Sequence, residues 1–86
     1  MTDVAGDIAR INWEAAKRGF LSMWTIYERP KDHPEGYVAR RFESIMPTND
    51  MLVGELEGLR DTLSQAGLFC VPRSADDEPP IVETWL

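Results

Sequence analysis

The feature of the sequence that most limits its fold is a stripe of leucines in the second half of the chain. Successive leucines are separated by four, three and four residues, at positions 52, 56, 59 and 63. This period is typical of an amphipathic helix, which we predict over residues 55–66, with Gly67 placed to end it. For residues 51–54, the sequence is compatible with either the start of this helix or a short strand. Because the chain has only 86 residues, we expect one domain in which the stripe packs against the other elements.

A second helix is predicted at the start of the chain. Over residues 3–20, apolar side chains again recur at helical spacing, at Val4, Ile8, Ile11 and Ala15. Charged side chains lie on the other side of this helix, and Gly19 is placed to end it. The N-terminal segment is therefore amphipathic.

Four segments show the alternation and the β-branched and aromatic residues that are typical of strands. They are residues 23–28, 37–43, 68–71 and 81–86. The order predicts an α+β fold: an N-terminal helix followed by a ββαββ unit, whose four-stranded, mostly antiparallel sheet carries the helices on one face. We divide the chain into a helical extension at 1–22 and a compact domain at 23–86, and we expect that domain to fold without the extension.

A set of short motifs extends through the second of these segments. They are Met23-Trp24-Thr25-Ile26-Tyr27, Pro30-Lys31-Asp32, Tyr37-Val38-Ala39-Arg40-Arg41-Phe42, Gly67-Leu68, Pro72-Arg73 and Pro80-Ile81-Val82-Glu83-Thr84-Trp85-Leu86. The segment that they span, roughly three quarters of the chain, resembles a family of small, uncharacterised bacterial proteins, a domain of unknown function. Members of that family begin near the position of Met23, so the resemblance implies a compact domain at 23–86. It implies no catalytic residue, cofactor or partner.

The charges are distributed unevenly along the chain, whose net charge is −6. Residues 1–42 carry seven Lys/Arg and six Asp/Glu, whereas residues 43–86 carry two and nine. This acidic balance disfavours nucleic acid and anionic membranes as partners. The start of the chain lacks the pattern of a signal peptide, and no apolar run reaches the ~20 residues of a membrane span. We therefore expect a cytoplasmic protein that does not bind membranes.

The residues capable of catalysis are few and scattered, so we predict that the protein is not an enzyme and uses no cofactor or metal. His33 is the only histidine and lies beside Asp32 in a loop, where a solvated side chain is the usual outcome. Cys70 is the only cysteine, and its apolar neighbours predict a buried side chain. The acidic run at 76–78 is interpreted as a solvated loop rather than a cation site.

One basic cluster provides an alternative function. Arg29, Lys31 and Arg41 belong to the predicted hairpin of Arg29–Phe42, which also carries aromatic residues. This combination can hold phosphate groups or stack on bases. However, Arg40 and Arg41 point to opposite faces of a strand, and nearby acids neutralise the local field. Binding of nucleic acid or another anionic ligand through this hairpin is the second hypothesis.

The first hypothesis is a protein-interaction module that forms a homo-oligomer or binds another protein. The stripe of the N-terminal helix and the terminal strand, interpreted as a sheet edge, provide more apolar surface than one small core uses. The candidate surface consists of Ile8, Ile11, Trp13, Trp85 and Leu86. The alternative, in which the helix completes the core of the monomer, stays open.

Overall fold

A computed structural model of the protein describes residues 3–74 and 80–86. These residues form two helices and five strands. In chain order they are α1 (Val4–Lys17), β1 (Ser22–Glu28), β2 (Tyr37–Glu43), β3 (Met46–Gly54), α2 (Leu56–Gln65), β4 (Cys70–Pro72) and β5 (Ile81–Trp85). The predicted α+β class is confirmed, whereas the predicted ββαββ unit is a βββαββ unit.

The strands form one antiparallel sheet in the order β3-β2-β1-β5-β4. The prediction of four strands is wrong by one strand, β3. Residues 46–50 contain a proline, an asparagine and an aspartate, which are typical of a turn. They are compatible with β3 because it is an edge strand, and an edge strand tolerates Pro47 since only one of its sides pairs with a neighbour.

The helix bounds follow local signals in the sequence. At the start of α1, the backbone N–H of Gly6 donates to Asp3 Oδ1 at 3.0 Å, a typical N-cap. The second helix begins at Leu56, and Leu52 belongs to β3 instead. Gly67 has φ +90°, a left-handed conformation that glycine adopts without steric cost and that ends a helix.

Both helices pack on the same face of the sheet. The core consists of one residue of α1, two of α2 and four strand residues: Ile8, Leu59, Leu63, Trp24, Ile26, Ala39 and Trp85. Leu59 is 5% exposed, which confirms the predicted buried side of α2. Large aliphatic and aromatic side chains thus supply the apolar burial on which a domain of this size depends.

The N-terminal helix is part of this core. Ile8 is 2% exposed and Ala15 is fully buried. Asn12 Oδ1 also accepts a hydrogen bond from Trp24 Nε1 at 3.1 Å. Because α1 packs on a strand of the 23–86 segment, it lies against that segment rather than apart from it.

Candidate protein-interaction surface

The face of the sheet opposite the helices is formed by side chains that alternate with the core residues along each strand. Paired positions share a face, so the register places Val38 between Tyr27 and Val53. We call this surface the helix-free face. Its apolar side chains are Met23, Tyr27, Val38, Phe42, Met51, Val53, Phe69, Val71, Ile81 and Leu86.

Several side chains of the helix-free face are exposed. The exposed fraction is 40% at Met51, 52% at Val53, 43% at Val71 and 39% at Leu86. Val38, between its neighbours on β1 and β3, is fully buried. The exposed apolar side chains therefore lie on the outer strands β3 and β4 and at Leu86, at the end of β5. Apolar side chains that stay exposed on one face of a sheet are typical of a site that binds another molecule.

The helix-free face has almost no charge. Among the strand residues that the structure describes, Arg40 is the single charged side chain directed to this face, and it pairs with Asp32 from the β1–β2 loop. The strand acids Glu43, Asp50 and Glu83 lie on the helix side, where they pair with arginines. The acidic character of the protein therefore resides elsewhere, and this face does not repel a second copy.

The β4 edge of the sheet is a poor template for an incoming strand. Phe69 and Leu86 exchange both backbone hydrogen bonds, at 2.8 and 3.0 Å. At the next position, the N–H and C=O of Cys70 therefore point away from β5. Pro72, two residues further on, has no N–H. Since β4 has three residues, its outer edge presents one N–H donor, and strand addition there is weak.

The β3 edge is interrupted by a bulge. The register between β2 and β3 shifts between Arg40 and Phe42. There, Thr48 Oγ1 donates to the Arg41 carbonyl at 2.9 Å and accepts from the Asp50 N–H at 3.2 Å. Bulges twist an edge and hinder the addition of another strand. The helix-free face is consequently a better candidate interface than either edge.

Arg41 is committed to an internal network on the helix side. It is 5% exposed, and its guanidinium group donates to Asp50 at 2.7 Å, Ser22 at 3.0 Å and Glu43 at 3.1 Å. Arg18 also binds Glu43, at 2.7 Å. Hydrogen bonds from Arg18 and then Arg41 hold the pKa of Glu43 below its usual range.

The structure does not assemble the predicted anion site. Arg29 and Lys31 are exposed in the β1–β2 loop, whereas Arg41 is buried on the other side of the strand from Arg40. Arg41 is buried, and three of its five guanidinium N–H groups already donate to neighbouring side chains, so it does not face a phosphate group from solvent.

A buried carboxylate lies on β5, also on the helix side of the sheet. Glu83, 6% exposed, accepts from Arg60 at 2.8 and 3.0 Å and from Trp85 Nε1 at 2.8 Å. The hydrogen bonds from Arg60 lower the pKa of Glu83 although burial opposes them. Cys70 is exposed, contrary to expectation. Partial desolvation and the Glu83 carboxylate raise the pKa of its thiol, which makes the thiol less reactive.

The residues predicted as an interaction surface are placed apart. Ile8 and Trp85 lie in the core, and Ile11 is half-buried. Trp13 is 62% exposed on α1, whereas Leu86 lies on the helix-free face. Trp85 is covered because β5 is an internal strand, with β4 paired outside it.

The part of the helix-free face that β3 provides lies in residues 51–54, where the sequence is compatible with a helix or a short strand; they belong to β3. Met51 and Val53 alternate with Leu52, and this alternation was the available signal for a strand. The leucine stripe obscured it, because Leu52 also fits the helical period of Leu56 and Leu59.

A cleft of about 630 Å³ lies between the β1–β2 loop and the end of β3. Its polar lining includes Arg29, Asp32, His33, Glu35, Tyr37 and Glu55. His33 is half-buried, but the Asp32 carboxylate accepts a hydrogen bond from Arg40. Within residues 3–74 and 80–86, no three His, Cys, Asp or Glu side chains are grouped to hold a metal ion; the acidic run at 76–78 lies outside these ranges. The absence of catalysis and of a cofactor stays a prediction.

Comparison with protein-family models, curated proteins and solved structures finds no match to this chain. The resemblance of residues 23–86 to a bacterial family therefore stays a prediction. Neither helix in the part of the chain that the structure describes is long and apolar enough to cross a membrane.

Proposed function

We propose that the protein is a small protein-interaction module that self-associates, with two copies packing their helix-free faces against each other. The observation that carries this proposal is that the helix-free face is apolar and almost uncharged in a protein of net charge −6. Burial of apolar surface drives association. In a two-fold contact each face meets an identical face, so a surface rich in carboxylates would repel its own copy.

The dimensions of the helix-free face suit a small specific interface. Five strands about 4.8 Å apart, with about six residues on average, give a surface of roughly 24 by 20 Å. Two such faces bury about 1,000 Å² in total, near the lower limit for a specific interface. Two sheets stacked in this way lie about 10 Å apart with their side chains interdigitated.

Anion or nucleic-acid binding through the Arg29–Phe42 hairpin has less support. Arg40 is paired with Asp32 and Arg41 with two carboxylates, so the hairpin presents Arg29 and Lys31 without a concentrated positive field. A cytoplasmic location belongs to the proposal as well, and its support is the sequence pattern alone.

Charge placed on the helix-free face tests the proposed dimer. We expect Met51→Lys combined with Val71→Lys to convert the dimer into a monomer at roughly 10 µM protein, because each copy would have to desolvate two ammonium groups against apolar side chains. Both residues are exposed in the single copy, so folding should be preserved. Sedimentation velocity measures the mass, and a thermal melt checks the fold.

A matched control adds the same charge away from this face. Ser64 and Gln65 are exposed on α2, and replacing both by lysine should leave the dimer intact. Raising the ionic strength should strengthen the dimer or leave it unchanged, because salt screens the repulsion between acidic copies. A wild-type protein that is monomeric at every salt concentration contradicts the proposal, as do equal effects of the two double variants.

A further inference from the structure

An exposed apolar tip lies at one end of the sheet. It consists of Phe20, Leu21, Ile45 and Met46, whose exposed fractions range from 42% to 86%. Ile45 lies in the short turn between β2 and β3, and the backbone N–H of Ser44 donates to the Leu21 carbonyl at 2.8 Å. This hydrogen bond holds the two segments side by side. Ile45, in the turn, is 86% exposed and so projects furthest into solvent.

An apolar groove lies at the other end of the sheet. It encloses about 300 Å³ between the start of α1, the end of β3 and α2, and its lining includes Val4, Leu52, Gly58, Leu59 and Thr62. Gly58 leaves the groove open, because a Cβ atom at this position would have no heavy atom within 4 Å. The groove therefore has room for apolar side chains from outside.

The tip and the groove are separated by the length of β3. This strand begins at Met46 in the tip and ends at Gly54 beside the groove. Its nine residues span roughly 25 Å. The tip of one copy consequently does not reach the groove of the same copy.

The two ends also differ in charge. Lys17 and Arg18 directly precede the tip. Arg18 forms an ion pair with Glu43, so Lys17 supplies the positive charge at this end. One acidic residue, Glu55, lines the groove and precedes α2, whereas Asp7 in the first turn of α1 is paired with Arg10. A basic end attracts an acidic end and orients it during encounter.

We propose that the apolar tip of one copy docks in the apolar groove of a second copy. This contact joins two different surfaces, so it is heterologous and leaves one free tip and one free groove after each addition. It joins copies head to tail into a chain or a ring. The groove shares Val53 with the helix-free face, but the other groove residues and the tip lie outside that face. The smaller area of this contact makes it the weaker of the two.

Two complementary variants test the head-to-tail contact in the Met51→Lys, Val71→Lys background, which removes the proposed dimer. Ile45→Asp places a charge on the tip, and Gly58→Leu fills the groove while replacing glycine by a better helix former. At protein concentrations on the order of 1 mM, each variant alone should associate at least about tenfold more weakly than the background protein. An equimolar mixture should form a one-to-one dimer, because it supplies one intact groove and one intact tip.

Sedimentation equilibrium measures the masses, and thermal melts confirm that each variant folds. Ser64→Leu, on an exposed α2 position outside the groove, is the control and should associate like the background protein. A background protein that is monomeric throughout overturns the head-to-tail contact, and so does a mixture that stays monomeric. Neither result affects the proposed dimer, which is measured without these substitutions at lower concentration.

Discussion

The two faces of the sheet are built from the same five strands, but they differ in burial and in charge. On the helix-covered face, Trp24 is 1% exposed and Ile26 is fully buried, and the strand acids are paired with arginines. On the helix-free face, Met51 and Val53 are 40% and 52% exposed, and the charged Arg40 is paired with Asp32. The helices therefore decide which apolar side chains form a core and which form a surface.

The placement of the strand charges explains why the neutral face is the one available to a second copy. Buried carboxylates need partners, because an isolated charge is costly to desolvate. The buried Glu83 and the partly buried Glu43 and Asp50 find such partners on the helix-covered face, in Arg60 and Arg41. Placing the strand charges there leaves the opposite face apolar, which favours association over repulsion.

Deletion of residues 1–22 should have the largest effect, because it removes one of the two helices from the helix-covered face. Trp24 would lose the hydrogen bond to Asn12, and the core would lose Ile8. We expect the 23–86 fragment to lose cooperative unfolding, which corresponds to more than about 5 kcal/mol. This outcome is the opposite of the one expected from the sequence. A cooperative thermal melt and dispersed amide resonances for the fragment would show that α1 is dispensable.

Truncating one apolar side chain on each face compares the two directly. Leu59→Ala should cost about 2–5 kcal/mol of unfolding free energy, because it leaves a cavity in the core. Met51→Ala, on the helix-free face, should cost less than about 1 kcal/mol because the side chain is already exposed. Urea denaturation measures both values. Similar losses at the two positions would mean that the faces do not differ in packing.

Removal of a buried charge on the helix-covered face should have an intermediate, pH-dependent effect. Glu83→Gln should cost about 2 kcal/mol at pH 7, since Arg60 would lose its bidentate partner. The pKa of Glu83 is lowered in the folded state, so its contribution is present above the unfolded pKa and is lost as the pH falls through the folded pKa. The difference between wild type and variant should therefore shrink below about pH 4.

Glu57 provides the control for this effect. It also accepts a hydrogen bond from Arg60, at 2.9 Å, but its side chain is 80% exposed. Glu57→Gln should change the unfolding free energy by less than about 0.5 kcal/mol. If Glu57→Gln and Glu83→Gln had equal costs in urea denaturation at pH 7, burial would not be the source of the effect.

The helix-covered face was the more predictable part of the fold. The spacing of Leu59 and Leu63 identifies the buried side of α2, because a helical period places both on one stripe. The alternation of Trp24 and Ile26 in β1 identifies a strand face in the same way. Such periods depend on neighbours within one element, so they can be read without knowledge of the tertiary structure.

The edge strands β3 and β4 were harder to predict, because their place in the sheet depends on contacts with other elements. Asp50 is typical of a turn, and it is accommodated in β3 only through its ion pair with Arg41. Trp85 was expected at a sheet edge, but the short strand β4 covers β5 from outside. Strand order and edge pairing are set by contacts between elements, and no local period of the sequence encodes them.

Breaking the ion pair on the helix-free face should have the smallest effect on stability. Its effect on association tests whether this face is buried in a dimer. Asp32 and Arg40 have side chains 52% and 37% exposed, so Asp32→Asn should change the unfolding free energy of the monomer by less than about 0.5 kcal/mol. In a dimer formed through this face, Arg40 would be desolvated without its partner, and association should weaken about tenfold. Adding Arg40→Met removes the unpaired charge and should restore association. Urea denaturation of dilute protein and sedimentation velocity give the two values. If Asp32→Asn left association unchanged, the dimer interface would lie elsewhere on the molecule.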